Sequence, residues 1–193
     1  SLMFDYWLWG LAPMGYHLSS IVFHLVAGLA LYGLLRSFRC SKRVRFFVTV
    51  VFLVHPVQTE VVAYANSRGD SLYAGFLFFG LWAFIRSMEI KSLKVPAKTI
   101  RMKKYFWYTR KGLLSLSGLM FGLAVLSKEI AVAGIGLYGL VMLLHVFQKN
   151  KGFLRLRSLQ KFGKKYLVEW LFIGGLSLGV GAYFWWRSSV LGL

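Results

Sequence analysis

Ionisable side chains interrupt a strongly apolar stretch near the middle of the sequence. His55 and Glu60 lie among Val, Phe and Leu residues, and Arg68 and Asp70 follow in a short polar segment. A charged side chain near the centre of a bilayer costs about 2.5–3.5 kcal/mol on insertion scales, so such residues usually face a cavity or a partner. We therefore predict that this block contributes to a functional site.

Two kinds of chemistry fit these residue types. Arg68, Lys128 and Arg187 are isolated cations that can neutralise a phosphate, and Arg offers a bidentate fork. The acids and the imidazole can orient or deprotonate a hydroxyl acceptor; they are Glu60, Asp70 and His55. A lipid-linked phosphosugar fits both groups, because its tail requires a bilayer and its phosphate requires cations as the leaving group forms.

Three further polar residues, His17, His24 and Glu129, are predicted to line the same site. His17 and His24 share one helical face, but His24 also fits a core histidine bonded to a neighbouring helix. Glu129 and its neighbour Lys128 also fit an interfacial turn with snorkelling side chains. Two histidines do not define a metal site, so no metal ligands are predicted and the need for a divalent metal stays open.

The composition indicates that membrane helices position these residues. Of the 193 residues, 58% are hydrophobic and 16% are charged, with mean hydropathy +0.60 and one cysteine. These values exclude a soluble enzyme, a disordered chain and a disulfide scaffold. Six apolar runs approach the length of a membrane span, at 16–35, 46–64, 72–85, 112–127, 130–147 and 167–186. Pro56 is expected to kink the second of them.

The basic residues predict the orientation of this bundle. All but three of the 24 Lys and Arg residues fall in loops 36–45, 86–111 and 148–166. By the positive-inside rule these loops are cytoplasmic, and Arg68, Lys128 and Arg187 lie on the opposite side. The net charge of +18 is then explained by orientation and by attraction to anionic membrane lipids, so no nucleic-acid partner is predicted.

Several motifs resemble those of the transmembrane and tetratricopeptide-repeat O-mannosyltransferases and their bacterial relatives. The block from His55-Pro56 through Thr59-Glu60 to Arg68 and Asp70 is similar to a His-Pro-x-x-Thr-Glu…Arg-x-Asp pattern of that family. Other similar landmarks occur in the family's order; they are Gly10, Pro13, Tyr16, His17, His24, Ser127-Lys128-Glu129, Tyr183, Arg187 and Gly192.

The resemblance implies a C-type glycosyltransferase fold, here an all-α polytopic membrane bundle forming one domain over 1–193. It implies a polyprenyl-phosphate-linked or dolichyl-phosphate-linked sugar as donor, with no other cofactor assigned, and Ser or Thr hydroxyls of an acceptor protein. The site would face the lumen of the endoplasmic reticulum or the periplasm, from the endoplasmic-reticulum or bacterial inner membrane. We expect the chain to be an inactive fragment, with acceptor-serving acids before Ser1 and tetratricopeptide repeats downstream.

Two other functional classes remain as alternatives. A transporter or flippase also uses kinked helices and intramembrane charges, but it predicts polar residues along a path to both faces. A non-catalytic membrane scaffold explains the spans but not the outward cluster of acids and bases.

Overall fold

The computed structural model describes residues 2–64, 67–92, 109–149 and 166–191. Within these ranges the regular elements are helices and no strand is present, so the prediction of an all-α chain is confirmed there. The chain divides into two compact units, Ser1–Ala131 and Val132–Leu193. A single functional domain over 1–193 stays a prediction.

The helices follow one another with short connections wherever the chain is described. In the first unit they are α1 (Leu2–Trp9), α2 (Pro13–Ser37), α3 (Lys42–Val54), the 3-10 turn Pro56–Gln58, α4 (Thr59–Ala63), α5 (Arg68–Ser92) and α6 (Arg110–Ser127). A second 3-10 turn, Glu129–Ala133, follows α6. The second unit contains α7 (Gly134–Lys149) and α8 (Leu167–Leu191), which pack against each other.

Local sequence signals explain where several helices begin. Pro13 occupies the first position of α2, where its missing N–H is not needed. Ser41 caps α3, and Thr109 caps α6 by accepting a hydrogen bond of 3.0 Å from the N–H of Gly112. These caps satisfy backbone donors that the first turn of a helix leaves without partners.

The predicted kink at Pro56 is confirmed. α3 ends at Val54, and the segment Pro56–Ala63 continues at an angle of 48° to it. His55 stabilises the break, since its Nδ1 accepts a hydrogen bond of 3.2 Å from the N–H of Val57. The ring of Pro56 cannot supply the N–H of a continuous helix, and the His55 side chain caps the next turn instead.

Some of the predicted membrane spans coincide with helices that could cross a membrane. Among the described residues, three helices are long and apolar enough to cross a membrane: Pro13–Ser37, Arg68–Ile90 and Leu167–Val190. The bent pair Lys42–Val54 and Pro56–Ala63 raises the number to four if it forms one span. These helices contain most of the first, third, sixth and second predicted spans, whereas the fourth and fifth fall on α6 and α7. Six spans stay a prediction.

The third predicted span, 72–85, is shorter than the helix that contains it. α5 extends to Ser92, so positions 86–92 of the predicted loop 86–111 are helical. Arg86 and Glu89 support this extension with an ion pair of 2.9 Å across one turn. Positions 93–108 of that loop and 150–165 of the loop 148–166 lie outside the described residues.

The core of the first unit lies where α5 packs between α2 and α6. Phe84 and Ile85 of α5 are completely buried, as is Ala27 of α2. Ser117 of α6 donates a hydrogen bond of 2.8 Å to the carbonyl oxygen of Gly80, which joins α6 to α5 inside this core. The packing fixes the ends of the three helices relative to one another.

Candidate functional site

The polar residues of the first unit gather at one end of the packed helices. The N-terminal part of α2 meets the start of α5 through a hydrogen bond of 2.8 Å from Arg68 to the carbonyl oxygen of Tyr16. The start of α5 meets the end of α6 where Lys128 forms an ion pair with Asp70. Predicted site residues more than fifty positions apart in the sequence therefore lie at the same end of the unit.

Arg68 is the buried centre of this polar end, with 1% of its surface exposed. Its guanidinium forms an ion pair with Asp5 of α1, which is equally buried. The same group donates a 3.3 Å hydrogen bond to the Ser20 hydroxyl and lies 5.7 Å from the centre of the Phe23 ring. A buried charge requires such compensation, and these contacts account for the burial of Arg68.

Asp5 and Ser20 were not among the predicted site residues. Asp5 is the only buried residue of α1, whose other side chains are large, apolar and exposed. An acid inside an apolar segment and an isolated cation in another are a signal that the two can pair, because each is costly alone. The sequence contains that signal but does not say which charges meet.

The turn between α1 and α2 places Asp5 against Arg68. Gly10 has a φ of +57°, a left-handed conformation that glycine adopts without steric cost. Its carbonyl oxygen accepts a 2.8 Å hydrogen bond from the Tyr16 hydroxyl. At Gly15, an added Cβ would lie 2.2 Å from the ring of Trp9, so only glycine allows α1 to pack this closely on α2.

Removing the Tyr16 hydroxyl should loosen this turn. We expect Tyr16→Phe to lower the free energy of unfolding by about 1 kcal/mol, because one partly buried hydrogen bond is lost while the ring remains. Denaturant titration in detergent micelles measures the change. Tyr64→Phe, at a tyrosine that is 64% exposed, is the control and should change stability by less than about 0.5 kcal/mol. Equal effects of the two substitutions would contradict the role of the Tyr16 hydroxyl.

Lys128 and Asp70 form the accessible part of the polar end. Their side chains are 46% and 27% exposed. The helices approach closely here because Gly69 has no side chain: an added Cβ would lie 3.2 Å from the carbonyl oxygen of Ser127. The pair joins a residue predicted to bind donor phosphate with one predicted to act on the acceptor.

His55 and Glu60 lie on the bent connection between α3 and α5. Both side chains are exposed, and within the described ranges the Glu60 carboxylate forms no hydrogen bond or ion pair, although its backbone carbonyl accepts a hydrogen bond from Tyr64. α4, which carries Glu60, packs against α2 and α5. A cavity of about 370 Å³ lies beside it, lined in part by His17, Tyr16 and Tyr64. His17 and Glu60 thus lie on elements that contact the polar end.

His24 lies deeper in the bundle and is 5% exposed. Its Nε2 donates a 3.3 Å hydrogen bond to the carbonyl oxygen of Leu53 in α3, and its ring stacks on Phe52 at 5.2 Å. This arrangement confirms the interpretation of His24 as a core histidine bonded to a neighbouring helix. Its role in lining a functional site stays a prediction.

The remaining predicted residues lie at the edge of the first unit and in the second. Glu129 directly follows Lys128 and is exposed. Arg187 is half-buried near the end of α8, in the second unit. At the other end of α8, burial raises the pKa of Tyr166 above its ordinary value, and the Glu169 carboxylate raises it further. The roles predicted for Glu129 and Arg187 stay predictions.

Within the described residues, no group of three or more His, Cys, Asp or Glu side chains is arranged to hold a metal ion. The groups that meet at the polar end are instead two ion pairs, the Ser20 hydroxyl and the backbone carbonyl of Tyr16. Such a set suits binding of a charged group and proton transfer at a carboxylate.

Comparison with known proteins relates the chain to one group of enzymes. The mouse protein named protein O-mannosyl-transferase TMTC3 is 28% identical over 174 residues, which is 83% of this chain. The Caenorhabditis elegans protein O-mannosyl-transferase F38B6.6 is 33% identical over 89 residues, 45% of this chain. The chain is similar to proteins that are named protein O-mannosyl-transferases. The family resemblance drawn from the motifs is therefore confirmed.

A third protein O-mannosyl-transferase, mouse TMTC4, is 26% identical over 141 residues, which is 66% of this chain. The chain spans only 17%, 13% and 18% of the lengths of these TMTC3, F38B6.6 and TMTC4 proteins. No family model matches the chain. No solved structure matches it either.

Proposed function

We propose that this chain is a membrane part of a glycosyltransferase that moves a mannose-like sugar from a polyprenyl or dolichyl phosphate to Ser or Thr hydroxyls of proteins. The similarity to a mouse protein named protein O-mannosyl-transferase over 83% of the chain is the observation that carries the proposal. The gathering of cations and carboxylates at one end of the first unit supports it.

In the proposed reaction the acceptor oxygen attacks the anomeric carbon of the sugar. The bond between that carbon and the phosphate oxygen breaks, and the lipid phosphate leaves with the electron pair. Lys128, which is nearly half exposed, stabilises the charge that develops on the phosphate. A carboxylate, Glu60 or Asp70, takes the proton from the acceptor hydroxyl, and His55 helps to shape this region.

Arg68 can bind the donor phosphate only if the phosphate replaces a present partner of its guanidinium. Its guanidinium is occupied by Asp5, Ser20 and the Tyr16 backbone. A phosphate that binds Arg68 has to replace the Asp5 carboxylate, which also holds α1 in place. We propose that Arg68 contributes to the donor site by organising the polar end and by this exchange.

The proposed topology has six spans in a C-type glycosyltransferase arrangement, with the site on the lumenal or periplasmic side. The endoplasmic-reticulum membrane and the bacterial inner membrane both fit this arrangement. Support comes from the first unit, where Arg68 and Lys128 lie at the same end of the packed helices. Arg86 lies far along α5 from Arg68, and Lys111 lies at the end of α6 opposite to Lys128.

A transfer assay tests this function. Full-length protein in detergent is incubated with radiolabelled dolichyl phosphate mannose and a Ser- and Thr-containing peptide. We expect Lys128→Ala to lower the transfer rate about tenfold, because one charged donor to the leaving phosphate is lost. Lys111→Ala, at the opposite end of the same helix, should leave the rate unchanged. We also expect Arg187→Ala to depress transfer without lowering the unfolding midpoint.

The outcomes separate the function from the residue roles. Absence of transfer by the full-length protein from any lipid-phosphate sugar would contradict the function. Equal rates for Lys128→Ala and the unsubstituted protein would contradict the role of Lys128, and normal transfer by Arg187→Ala would contradict that of Arg187.

A further inference from the structure

An apolar groove runs along the first unit between α2 and α5. It encloses about 510 Å³, with α6 contributing Met120. Val26 and Phe23 line it from α2, and Phe79 and Trp82 line it from α5. All of its lining residues are apolar or glycine except Ser71 at one end.

The end marked by Ser71 adjoins the polar end of the unit. Ser71 follows Asp70 directly and lies one helical turn after Arg68. Phe23 links the two regions, because its ring lines the groove and also contacts the Arg68 guanidinium. The groove therefore starts at the ion pairs and runs away from them along the helices.

The buried hydroxyl of Ser71 indicates that a ligand binds at this end of the groove. The residue is 2% exposed, and its hydroxyl has no hydrogen-bond partner among the described residues. A buried hydroxyl without a partner is unfavourable, and native structures rarely leave one unexplained. A ligand atom that accepts a hydrogen bond at this end of the groove removes the penalty.

The dimensions and lining define the class of ligand. From Ser71 to Trp82 the helix rises about 16 Å at 1.5 Å per residue, which is about half of the hydrocarbon thickness of a bilayer. A hydrocarbon chain of about that length fits the apolar lining of the groove. A terminal group that accepts hydrogen bonds and carries negative charge fits the Ser71 hydroxyl and the cations nearby. We propose that the groove binds the hydrocarbon chain of the polyprenyl phosphate donor, with the Ser71 hydroxyl at its phosphate end. This inference rests on the proposed function for the identity of the lipid.

A sugar-free probe tests the groove separately from catalysis. Full-length protein in phosphatidylcholine vesicles is exposed to a polyprenyl monophosphate that carries a photoreactive group in its chain. We expect labelled peptides from α2 and α5, and about tenfold weaker labelling for Val26→Trp, whose ring would fill the groove. Leu25→Trp is the matched control: Leu25 is 48% exposed and Val26 is 53%, but only Val26 lines the groove. The control should stay within about twofold of the unsubstituted protein.

A second variant tests the phosphate end without changing the packing. Ser71→Ala removes only a hydroxyl that has no described partner, so the fold should be retained. We expect it to weaken labelling by the polyprenyl phosphate about fivefold, but not labelling by the corresponding polyprenol, which lacks the phosphate.

Three results would overturn the proposal: label outside α2, α5 and the Met120 region of α6, equal labelling of Val26→Trp and Leu25→Trp, or equally strong competition by phosphatidylglycerol. The last would make the groove a general lipid contact. Specific labelling by a protein that transfers no sugar would leave the groove established and the transferase function contradicted. Sugar transfer that is insensitive to Val26→Trp, with unchanged labelling, would contradict the groove and leave the transferase function established.

Discussion

Replacing Asp5 with alanine is expected to lower the free energy of unfolding of the full-length protein by about 3–5 kcal/mol. Asp5 and Arg68 are 2% and 1% exposed, so the substitution leaves a buried guanidinium without its counter-ion. The hydrogen bonds from Arg68 to Ser20 and to the Tyr16 backbone do not replace a negative charge. Denaturant titration in detergent micelles measures the loss.

Two further variants distinguish a buried pair from a general charge effect. In Asp5→Leu combined with Arg68→Met, both charges are gone and much of the stability should return, because no charge remains buried alone. Asp70→Ala breaks the exposed pair with Lys128 and should cost less than about 1 kcal/mol. If Asp5→Ala cost no more than Asp70→Ala, the buried ion pair would not stabilise the unit.

The second large effect is expected at Gly15. An alanine Cβ there would lie 2.2 to 2.7 Å from three atoms of Trp9, all of them near the backbone or in the ring. Trp9 cannot move aside without shifting α1, so we expect a loss of about 1–3 kcal/mol in a denaturant titration.

Gly122 provides the control for this substitution within the same unit. An added Cβ there meets no atom within 4 Å, and Gly122 lies inside α6. Gly122→Ala should therefore raise stability by up to about 1 kcal/mol, as alanine favours a helix more than glycine does. A loss of stability at both glycines would show that the contact with Trp9 is not the cause.

The sequence predicted the helices better than it predicted which charged side chains form ion pairs. Pro56 predicted the break between α3 and α4, because a missing N–H acts locally whatever the rest of the fold does. The apolar runs predicted most of the helices but placed the end of α5 too early. Charged residues such as Arg86 and Glu89 end an apolar run without ending a helix.

The pairing of charges could not be read from the sequence. Arg68 and Lys128 were both singled out as isolated cations, yet one is buried with Asp5 and the other half exposed with Asp70. The difference arises from glycines that set helix distances, Gly15 beneath Trp9 and Gly69 beside Ser127. Such contacts depend on the three-dimensional packing of segments, and sequence spacing does not define them.

The pairing of Asp5 with Arg68 also sets an order for assembly during synthesis. Asp5 precedes its partner by 63 residues. At about 5–20 residues per second, a ribosome reaches Arg68 about 3–13 seconds after Asp5. During that interval the Asp5 carboxylate lacks the Arg68 guanidinium with which it pairs in the folded protein. Burial of Asp5 therefore waits for the insertion of α5, so α1 is held by its ion pair only after a later helix is in place.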